Sequence, residues 1–133
     1  MAVPENWPYP EYVATSPYMA CNHIEVHSVS EECGIVRADL TRDAENLHGG
    51  VHGGLLCALA DCAAGLAARA TGHDYVTQSE HINFLRGKRA DCGTVYARAD
   101  ILKRGRTVVV TRITVYDEQD QTLAEGTIEL ISC

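Results

Sequence analysis

The sequence predicts an α+β fold in which one long helix packs against an antiparallel sheet. Residues 53–68 form an apolar run with a single charge, two segments before this run alternate apolar and polar residues, and four segments after it do the same. A helix that is apolar on all sides is a buried helix, and a half-buried strand alternates with a period of two. Because the helix stands apart from the runs of strands, the pattern is α+β.

The limits of the elements follow from where each pattern starts and stops. We predict a glycine-rich loop that ends at residue 54, a helix from there to about residue 70, and strands over residues 24–29, 34–40, 75–85, 94–102, 106–116 and 122–131. Gly72 ends the helix, since glycine is common just after a helix C-terminus. Gly105, in a predicted hairpin turn over residues 103–106, can supply a positive φ.

Length and composition fit one domain. The chain has 133 residues, 46% of them hydrophobic, and we expect an irregular N-terminal arm over residues 1–20 and one domain over residues 21–133. The net charge of −7 argues against nucleic acid as a partner. No apolar stretch reaches the roughly 20 residues that cross a bilayer, and the longest one contains Asp61. The N-terminus lacks the pattern of a signal peptide. We therefore expect a cytoplasmic protein with no membrane partner.

Cysteine and histidine spacing does not favour a metal site. The six cysteines show no CxxC pair, so we interpret them as free thiols in a reducing compartment. His48 and His52 have the HxxxH spacing that binds zinc when both lie on one helical face. The glycines around them disfavour a helix there, and HExxH is absent. We predict no metal.

Asp61 is the only charged residue in the apolar run. A carboxylate inside a buried helix is costly unless it is paired or used. Two interpretations stay open. Asp61 pairs with an arginine at a contact between helix and sheet, or it acts as general base or nucleophile on an acyl carbon.

A glycine-rich segment, HGGVHGG at residues 48–54, leads directly into the helix. Gly53 and Gly54 are expected to leave bare N–H groups at the positive end of the helix dipole, where they can polarise a carbonyl. The alternative is a loop that serves only a tight turn. Neither GK[ST] nor GxGxxG occurs, so the common phosphate-binding loops are not present.

The spacing of Gly53 and Asp61 constrains any such site. Eight residues separate them by about 12 Å along a straight helix, whereas a nucleophile and an oxyanion donor must both lie about 3 Å from the reacting atoms. Two antiparallel helices satisfy this if Asp61 of one chain faces Gly53 of the other. An acyl-transfer site in this protein is therefore expected to be shared across a dimer interface.

Basic residues concentrate in two turns. Six of the 11 lysines and arginines lie there: Arg86, Lys88, Arg89, Lys103, Arg104 and Arg106. In an acidic protein this clustering indicates an anionic ligand such as a nucleotide phosphate. Ordinary solvated turns produce the same pattern.

The segment NLHGGVHGG at residues 46–54, followed by Asp61 in LADCAAG, resembles the hotdog-fold acyl-CoA thioesterases, most closely the branch associated with phenylacetic acid degradation. That branch's pattern, Asn-x-x-Gly-x-x-His-Gly-Gly and then an acid eight residues after the first glycine of the pair, is met at every position. The resemblance implies a long central helix wrapped by a curved antiparallel sheet. It also implies a homodimer, often paired again into a homotetramer, with composite sites.

The resemblance implies a role for each site residue. Asp61 matches the nucleophile or general base, and Gly53 matches the residue whose N–H polarises the thioester carbonyl. Asn46 matches a side chain that positions water or the acyl group. His52 matches a residue near the thioester, and Thr77 a hydroxyl that orients the acid or the water.

The basic turns correspond by analogy to the surface that receives the CoA phosphates. The predicted substrate-binding residues are Gly54, Arg86, Lys88, Arg89, Arg104 and Arg106. Relatives often have proline where this chain has Gly87, so the turn after Arg86 is expected to be looser here.

The implied activity is hydrolysis of an acyl-CoA thioester to a carboxylic acid and free CoA, with no cofactor beyond the CoA of the substrate. One alternative is a non-catalytic hotdog module that binds acyl-CoA and regulates or scaffolds a partner. Another is a hydratase or dehydratase on the same fold, whose chemistry would use a His–acid pair. Aryl, medium-chain and hydroxyphenylacetyl groups all remain open as the acyl group.

Overall fold

A computed structural model describes residues 16–133 of the chain, and its elements follow the predicted order. Helix α1 (Pro17–Cys21) comes first; the rest of the predicted N-terminal arm, residues 1–15, lies outside the described residues. The remaining elements are β1 (Ile24–Val29), β2 (Cys33–Asp39), a short 3-10 helix (Arg42–Ala44), α2 (Gly53–Arg69), β3 (Tyr75–Phe84), β4 (Thr94–Arg104), β5 (Val108–Asp117) and β6 (Thr122–Ser132).

The six strands form one antiparallel sheet in the order β1-β2-β4-β5-β6-β3. Buried positions lie side by side across it, since Ala97 of β4 pairs with both Val36 of β2 and Val115 of β5. This alignment gives the sheet one continuous apolar face. Strands β1 and β3 are its two edges.

Helix α2 packs on that apolar face and contacts all six strands. Leu59, Ala63 and Leu66 are fully buried between helix and sheet. Small residues allow a close approach, because a Cβ on Gly34 of β2 would lie 2.6 Å from the Ala63 carbonyl oxygen. The prediction of a central helix enclosed by an antiparallel sheet is confirmed.

The turn between β4 and β5 differs from the prediction in its limits and in the role of its glycine. Arg104 still belongs to β4, and β5 begins only at Val108. Gly105 does not have a positive φ, whereas Gly72, after α2, does, at 93°. Glycine is required at position 105 for space, because a Cβ there would lie 2.8 Å from the Val108 carbonyl oxygen.

Strand β3 is an exposed edge and contains a β-bulge. Thr77 pairs with Leu130 of β6, and the next paired residue, Ser79, pairs with Glu129, so Gln78 is an extra residue. A bulge shifts the alternation of side chains by one position. The residues of β3 that face the helix after Gln78 are therefore the even-numbered ones.

No helix in the described part of the chain is long and apolar enough to cross a membrane.

Candidate active site

Asp61 lies half-buried on α2, opposite the start of β3. The Thr77 hydroxyl donates a hydrogen bond of 2.5 Å to one Asp61 carboxylate oxygen. Within residues 16–133 Asp61 forms no ion pair with an arginine, lysine or histidine. The structure therefore favours a carboxylate oriented by a hydroxyl over one neutralised by arginine.

Cys62 and Arg69 line the same cavity as Asp61, and Arg69 pairs with Asp74 at 3.0 Å. Burial, followed by the charge of Asp61, raises the pKa of the Cys62 thiol to about 12. Burial and the neighbouring Glu80, which hydrogen-bonds to it, raise the pKa of the Cys57 thiol. Because thiolates are the reactive form of cysteine, these two thiols are poor nucleophiles. All six cysteines of the chain are free.

Glu80 is a second carboxylate next to Asp61, and the sequence analysis did not identify it. Burial first, and the charge of Asp61 second, raise the pKa of Glu80, while the Cys57 hydrogen bond opposes the rise. Glu80 is exposed overall, so this burial concerns the side of it that faces α2. Regular alternation from Thr77 would point Glu80 away from the helix, and only the bulge at Gln78 brings it inward.

The start of α2 presents one free backbone amide. His52 is the N-cap, and its Nδ1 accepts a 2.9 Å hydrogen bond from the Gly54 N–H. The expectation that Gly54 offers a bare amide is therefore wrong, because the imidazole ring caps it. The Gly53 N–H has no acceptor in the described part of the chain, and it lies at the positive end of the helix dipole.

Asn46 organises the glycine-rich loop. Its Oδ1 accepts hydrogen bonds from the N–H groups of His48 at 2.8 Å and Gly50 at 3.0 Å. Its own N–H donates to the Gly50 carbonyl oxygen at 2.8 Å. The carboxamide oxygen is thus used within the loop, and the predicted contact with water or the acyl group would fall to Nδ2.

Gly53 and Asp61 line different cavities of the single chain. Gly53 lies in an open groove with Phe84 and Arg86, and the Phe84 ring lies 3.3 Å from where a Gly53 Cβ would be. Asp61 and Thr77 lie in a smaller cavity farther along α2. Both belong to one continuous helix, so about 12 Å of axis separates them. One protomer alone does not bring the two groups together.

The prediction that Arg104 binds a phosphate is wrong, because this side chain caps the C-terminus of helix α2. Its guanidinium donates to the carbonyl oxygens of Ala67 at 3.1 Å, Ala68 at 2.9 Å and Glu31 at 2.8 Å. The last carbonyls of a helix lack partners within it and carry negative partial charge. Arg104 therefore satisfies the helix C-terminus and does not present its charge to a ligand.

The other predicted phosphate ligands differ in whether their charged groups already form an ion pair with an acidic residue. Lys88 pairs with Glu118 at 3.1 Å, and Arg89 pairs with Asp91 at 3.3 Å. Arg86 and Arg106 are exposed, and their guanidinium groups have no partner among residues 16–133. Arg86 also lines the groove that contains Gly53.

Within the described residues, no group of three or more His, Cys, Asp and Glu side chains is placed to hold a metal ion.

Comparison with known proteins supports the family predicted from the motif. Residues 48–124, more than half of the chain, match the thioesterase superfamily. The acyl-coenzyme A thioesterase PaaI of Escherichia coli is 32% identical over 102 residues, which cover 76% of this chain and 71% of that protein. Two curated Mycobacterium tuberculosis relatives are 33% identical over 90 residues, and the chain spans 63% of their length.

Solved structures show the same fold. The Escherichia coli PaaI protein from the phenylacetic acid degradation operon superposes with a TM-score of 0.83 at 26% identity, over 92% of both chains. A mutant of the phenylacetic acid degradation protein PaaI from Thermus thermophilus superposes with a TM-score of 0.82 at 29% identity, over 88% of this chain and 99% of that one. The chain therefore belongs to the thioesterase superfamily and has a PaaI-like hotdog fold.

Proposed function

We propose that this protein hydrolyses acyl-CoA thioesters to a carboxylic acid and free CoA, in sites that two protomers share. One observation carries the proposal. Asp61, held by Thr77, and the Gly53 amide, which has no acceptor among residues 16–133, lie on one helix about 12 Å apart. The superfamily and a relative named as an acyl-coenzyme A thioesterase support the substrate class.

The mechanism assigns one group from each protomer to the thioester. The Gly53 N–H of one protomer donates to the carbonyl oxygen and stabilises the oxyanion that forms when the carbon becomes tetrahedral. Asp61 of the other protomer either removes a proton from the attacking water or attacks the carbon itself. Collapse of the tetrahedral intermediate breaks the C–S bond and releases the CoA thiolate, which takes up a proton. In the direct route, water then hydrolyses the acyl–Asp61 anhydride.

Neighbouring side chains position the Asp61 carboxylate and the start of α2, where the Gly53 N–H lies. Thr77 holds one Asp61 oxygen and leaves the other for the reaction. His52 caps the Gly54 amide, so the Gly53 N–H is the one available to the substrate. We assign CoA phosphate binding first to Arg86, which is unpaired and lies beside Gly53, and then to Lys88, Arg89 and Arg106.

The proposed dimer forms along β3. It is an edge strand with exposed apolar residues, Val76 at 48% and Phe84 at 55% exposure, and such edges are templates for pairing with another chain. Antiparallel pairing of two β3 strands would continue the sheet and bring the two α2 helices side by side. Further pairing into a tetramer remains part of the proposal. A reducing cytoplasmic location agrees with the six free thiols.

Mixing two inactive variants tests the shared site. Gly53→Pro removes the N–H and adds a ring whose Cβ would lie 3.3 Å from Phe84. Gly53 is the first helical residue, where proline is well tolerated, and His52 with ψ of 130° accepts a following proline. Asp61→Asn removes the charge. Each variant alone is expected to lose on the order of 100-fold or more in kcat. An equal mixture, unfolded and refolded together, should regain about a quarter of wild-type activity, because half the dimers are mixed and each has one intact site.

Release of CoA, detected with a thiol reagent over a panel of acyl-CoAs, measures the activity. Gly53→Ala is the matched control, since it keeps the amide and adds only a Cβ. If mixed dimers form, as native mass spectrometry would show, and activity is not regained, the shared site is disproved. If wild-type protein binds acyl-CoA saturably and releases no thiol, the protein is a binding module instead.

A further inference from the structure

We propose that Arg69 is a catalytic residue of this site, whose guanidinium holds, together with the Asp61 carboxylate, the water that attacks the thioester. The chemistry in this inference rests on the proposed function. The positions of the guanidinium and of the water do not, and both can be observed in protein without substrate.

A small cavity beside Asp61 offers a place for this water. Its volume is about 50 Å³, and Asp61, Thr77 and Arg69 supply its polar walls. Met19 and Leu66, both buried, supply apolar walls. An ordered water needs roughly 15 Å³ and two to four polar partners. The cavity meets both conditions with a carboxylate that accepts, a hydroxyl, and a guanidinium that donates.

Contacts with other residues fix the Arg69 guanidinium. Nε donates to Oδ1 of Asp74 at 3.0 Å, and Nη2 donates to the Tyr75 carbonyl oxygen at 2.6 Å. Nη1 lies over Gly65, because a Cβ at that position would be 2.5 Å from it. Only 17% of the side chain is exposed. The side chain therefore runs back along α2 toward the helix N-terminus, as long side chains of a helix do.

Gly65 and Asp61 share one face of α2. They are four residues apart, so they lie one above the other, with about 5–6 Å between their Cβ positions. A guanidinium nitrogen that lies over Gly65 is therefore one helical turn from Asp61, on the side of the helix that lines the cavity. A bridging water spans about this distance, since two hydrogen bonds of roughly 2.9 Å add up to it.

Position 65 has glycine where a helix interior favours alanine. Glycine destabilises a helix relative to alanine, and α2 has alanine at positions 63, 64, 67 and 68 around it. An alanine at position 65 would force Nη1 away, because its Cβ would lie only 2.5 Å from that nitrogen. The contacts with Asp74 and Tyr75 tie the end of α2 to β3. The glycine in addition gives the guanidinium access to the cavity.

The two groups act on the water in complementary ways. Asp61 accepts one of its protons, and Nη1 of Arg69 donates a hydrogen bond to its oxygen. As the oxygen bonds to the thioester carbon, Asp61 takes the proton, and the guanidinium stabilises the negative charge that develops on the oxygen. The C–S bond then breaks, and the CoA thiolate takes up the proton from Asp61. This sequence assigns Asp61 the role of general base.

A crystal structure of the substrate-free protein, at a resolution that shows ordered waters, tests the placement. Wild type should show one water within about 3.2 Å of both an Asp61 oxygen and an Arg69 nitrogen. Gly65→Ala should lack this water and show its guanidinium displaced from the cavity. It is expected to fold, since alanine favours a helix and the atom it meets ends a flexible side chain. A wild-type cavity without the water, or a guanidinium that stays in place in Gly65→Ala, overturns the inference.

CoA release tests the role in the reaction. Gly65→Ala and Arg69→Gln should each lower kcat on the order of tenfold or more. They should leave KM nearly unchanged, because the groove at Gly53 and Arg86 keeps all its residues. The double variant should lose no more than the weaker of the two single variants, since both changes remove the same group from the cavity. Additive losses would show that Gly65→Ala acts in another way and would overturn the inference.

Arg112→Gln is the matched control, because it removes an exposed arginine from β5 and should leave kcat at the wild-type value. Two outcomes separate this inference from the proposed function. An ordered water at Asp61 and Arg69 in a protein that releases no CoA would reject the proposed function and support the placement of the water. An active enzyme whose Arg69→Gln variant keeps the wild-type kcat would reject this inference alone.

Discussion

At the residue scale, the centre of the molecule is a small cluster of side chains between α2 and β3. Asp61, Glu80 and the two thiols concentrate acidic groups, and Thr77 supplies the hydrogen bond that orients the acid. A solvated helix would place its acid in water or beside a basic residue. Here the acid is partly buried and has no ion pair within residues 16–133, an arrangement typical of reaction centres.

The raised pKa of Glu80 predicts how stability depends on pH. The folded state holds the Glu80 proton more tightly than the unfolded state, so unfolding releases a proton as pH rises from the ordinary glutamate range to the raised value. Protonated Glu80 therefore favours the folded state at low pH. This contribution to the free energy of unfolding is lost as pH rises from the ordinary glutamate pKa through the raised one. Glu80→Gln removes the loss, so its Tm relative to wild type should be more favourable at about pH 8 than at about pH 4.

Scanning calorimetry at both pH values measures this difference, with Glu129→Gln as the control that should shift equally at both. An equal shift of Glu80→Gln at the two pH values would show that Glu80 is not destabilised by ionisation in the folded state.

At the element scale, α2 is stabilised at both ends by side chains from its surroundings. His52 caps the first turn, and Arg104, from β4, satisfies the carbonyls of the last turn. The helix also approaches β2 so closely that only glycine fits at position 34. These contacts hold α2 at a defined height and rotation against the sheet, which fixes the positions of Gly53 and Asp61 relative to it.

Arg104→Met should destabilise the fold while leaving substrate affinity nearly unchanged. Loss of hydrogen bonds from a charged donor to part-buried carbonyls costs about 1–3 kcal/mol in the free energy of unfolding, and methionine keeps most of the aliphatic stem. Urea denaturation gives the loss, and KM for an acyl-CoA, measured well below the transition, gives the affinity.

Arg106→Met, in the same turn, is the matched control. Its exposed guanidinium has no partner in the described residues, so stability should stay constant and any effect should fall on KM. Unchanged stability together with a raised KM for Arg104→Met would restore Arg104 as a phosphate ligand.

At the scale of the whole molecule, strand β3 is an edge of the sheet whose side chains are mostly exposed. Strand β3 is ten residues long, and only Tyr75 in it is buried. The site residues lie along that same edge and along the helix beneath it. A second protomer joined there would cover the apolar side chains and complete the site in one step.

Activity should therefore follow the dimer population. On serial dilution, CoA release per protomer should fall at the concentration where sedimentation velocity shows dissociation, because a monomer holds Gly53 and Asp61 in separate cavities. Circular dichroism should show whether the separated chains stay folded. Constant specific activity in a fully monomeric sample would contradict the shared site.

Much of this protein follows from local sequence. Apolar periodicity placed β1 and α2 almost residue for residue, because each element reflects its own burial pattern. The glycine-rich loop and Asp61 pointed to the hotdog family, and helix geometry led to the prediction that an acyl-transfer site would take the two groups from different protomers. None of these inferences depends on which residues meet across the sheet.

Contacts between distant segments could not be predicted from local sequence, because they depend on strand register and on which of several partners a side chain binds. Arg104 binds carbonyls 36 and 37 residues away, and its sequence neighbourhood suggested only a basic turn. Glu80 is directed toward the helix because one extra residue reverses the alternation of β3, and nothing in the pattern of residues 75–85 reveals that extra residue. Strand periodicity assigns side chains to a face only while pairing stays regular, so the second acid of the site emerged from the folded arrangement.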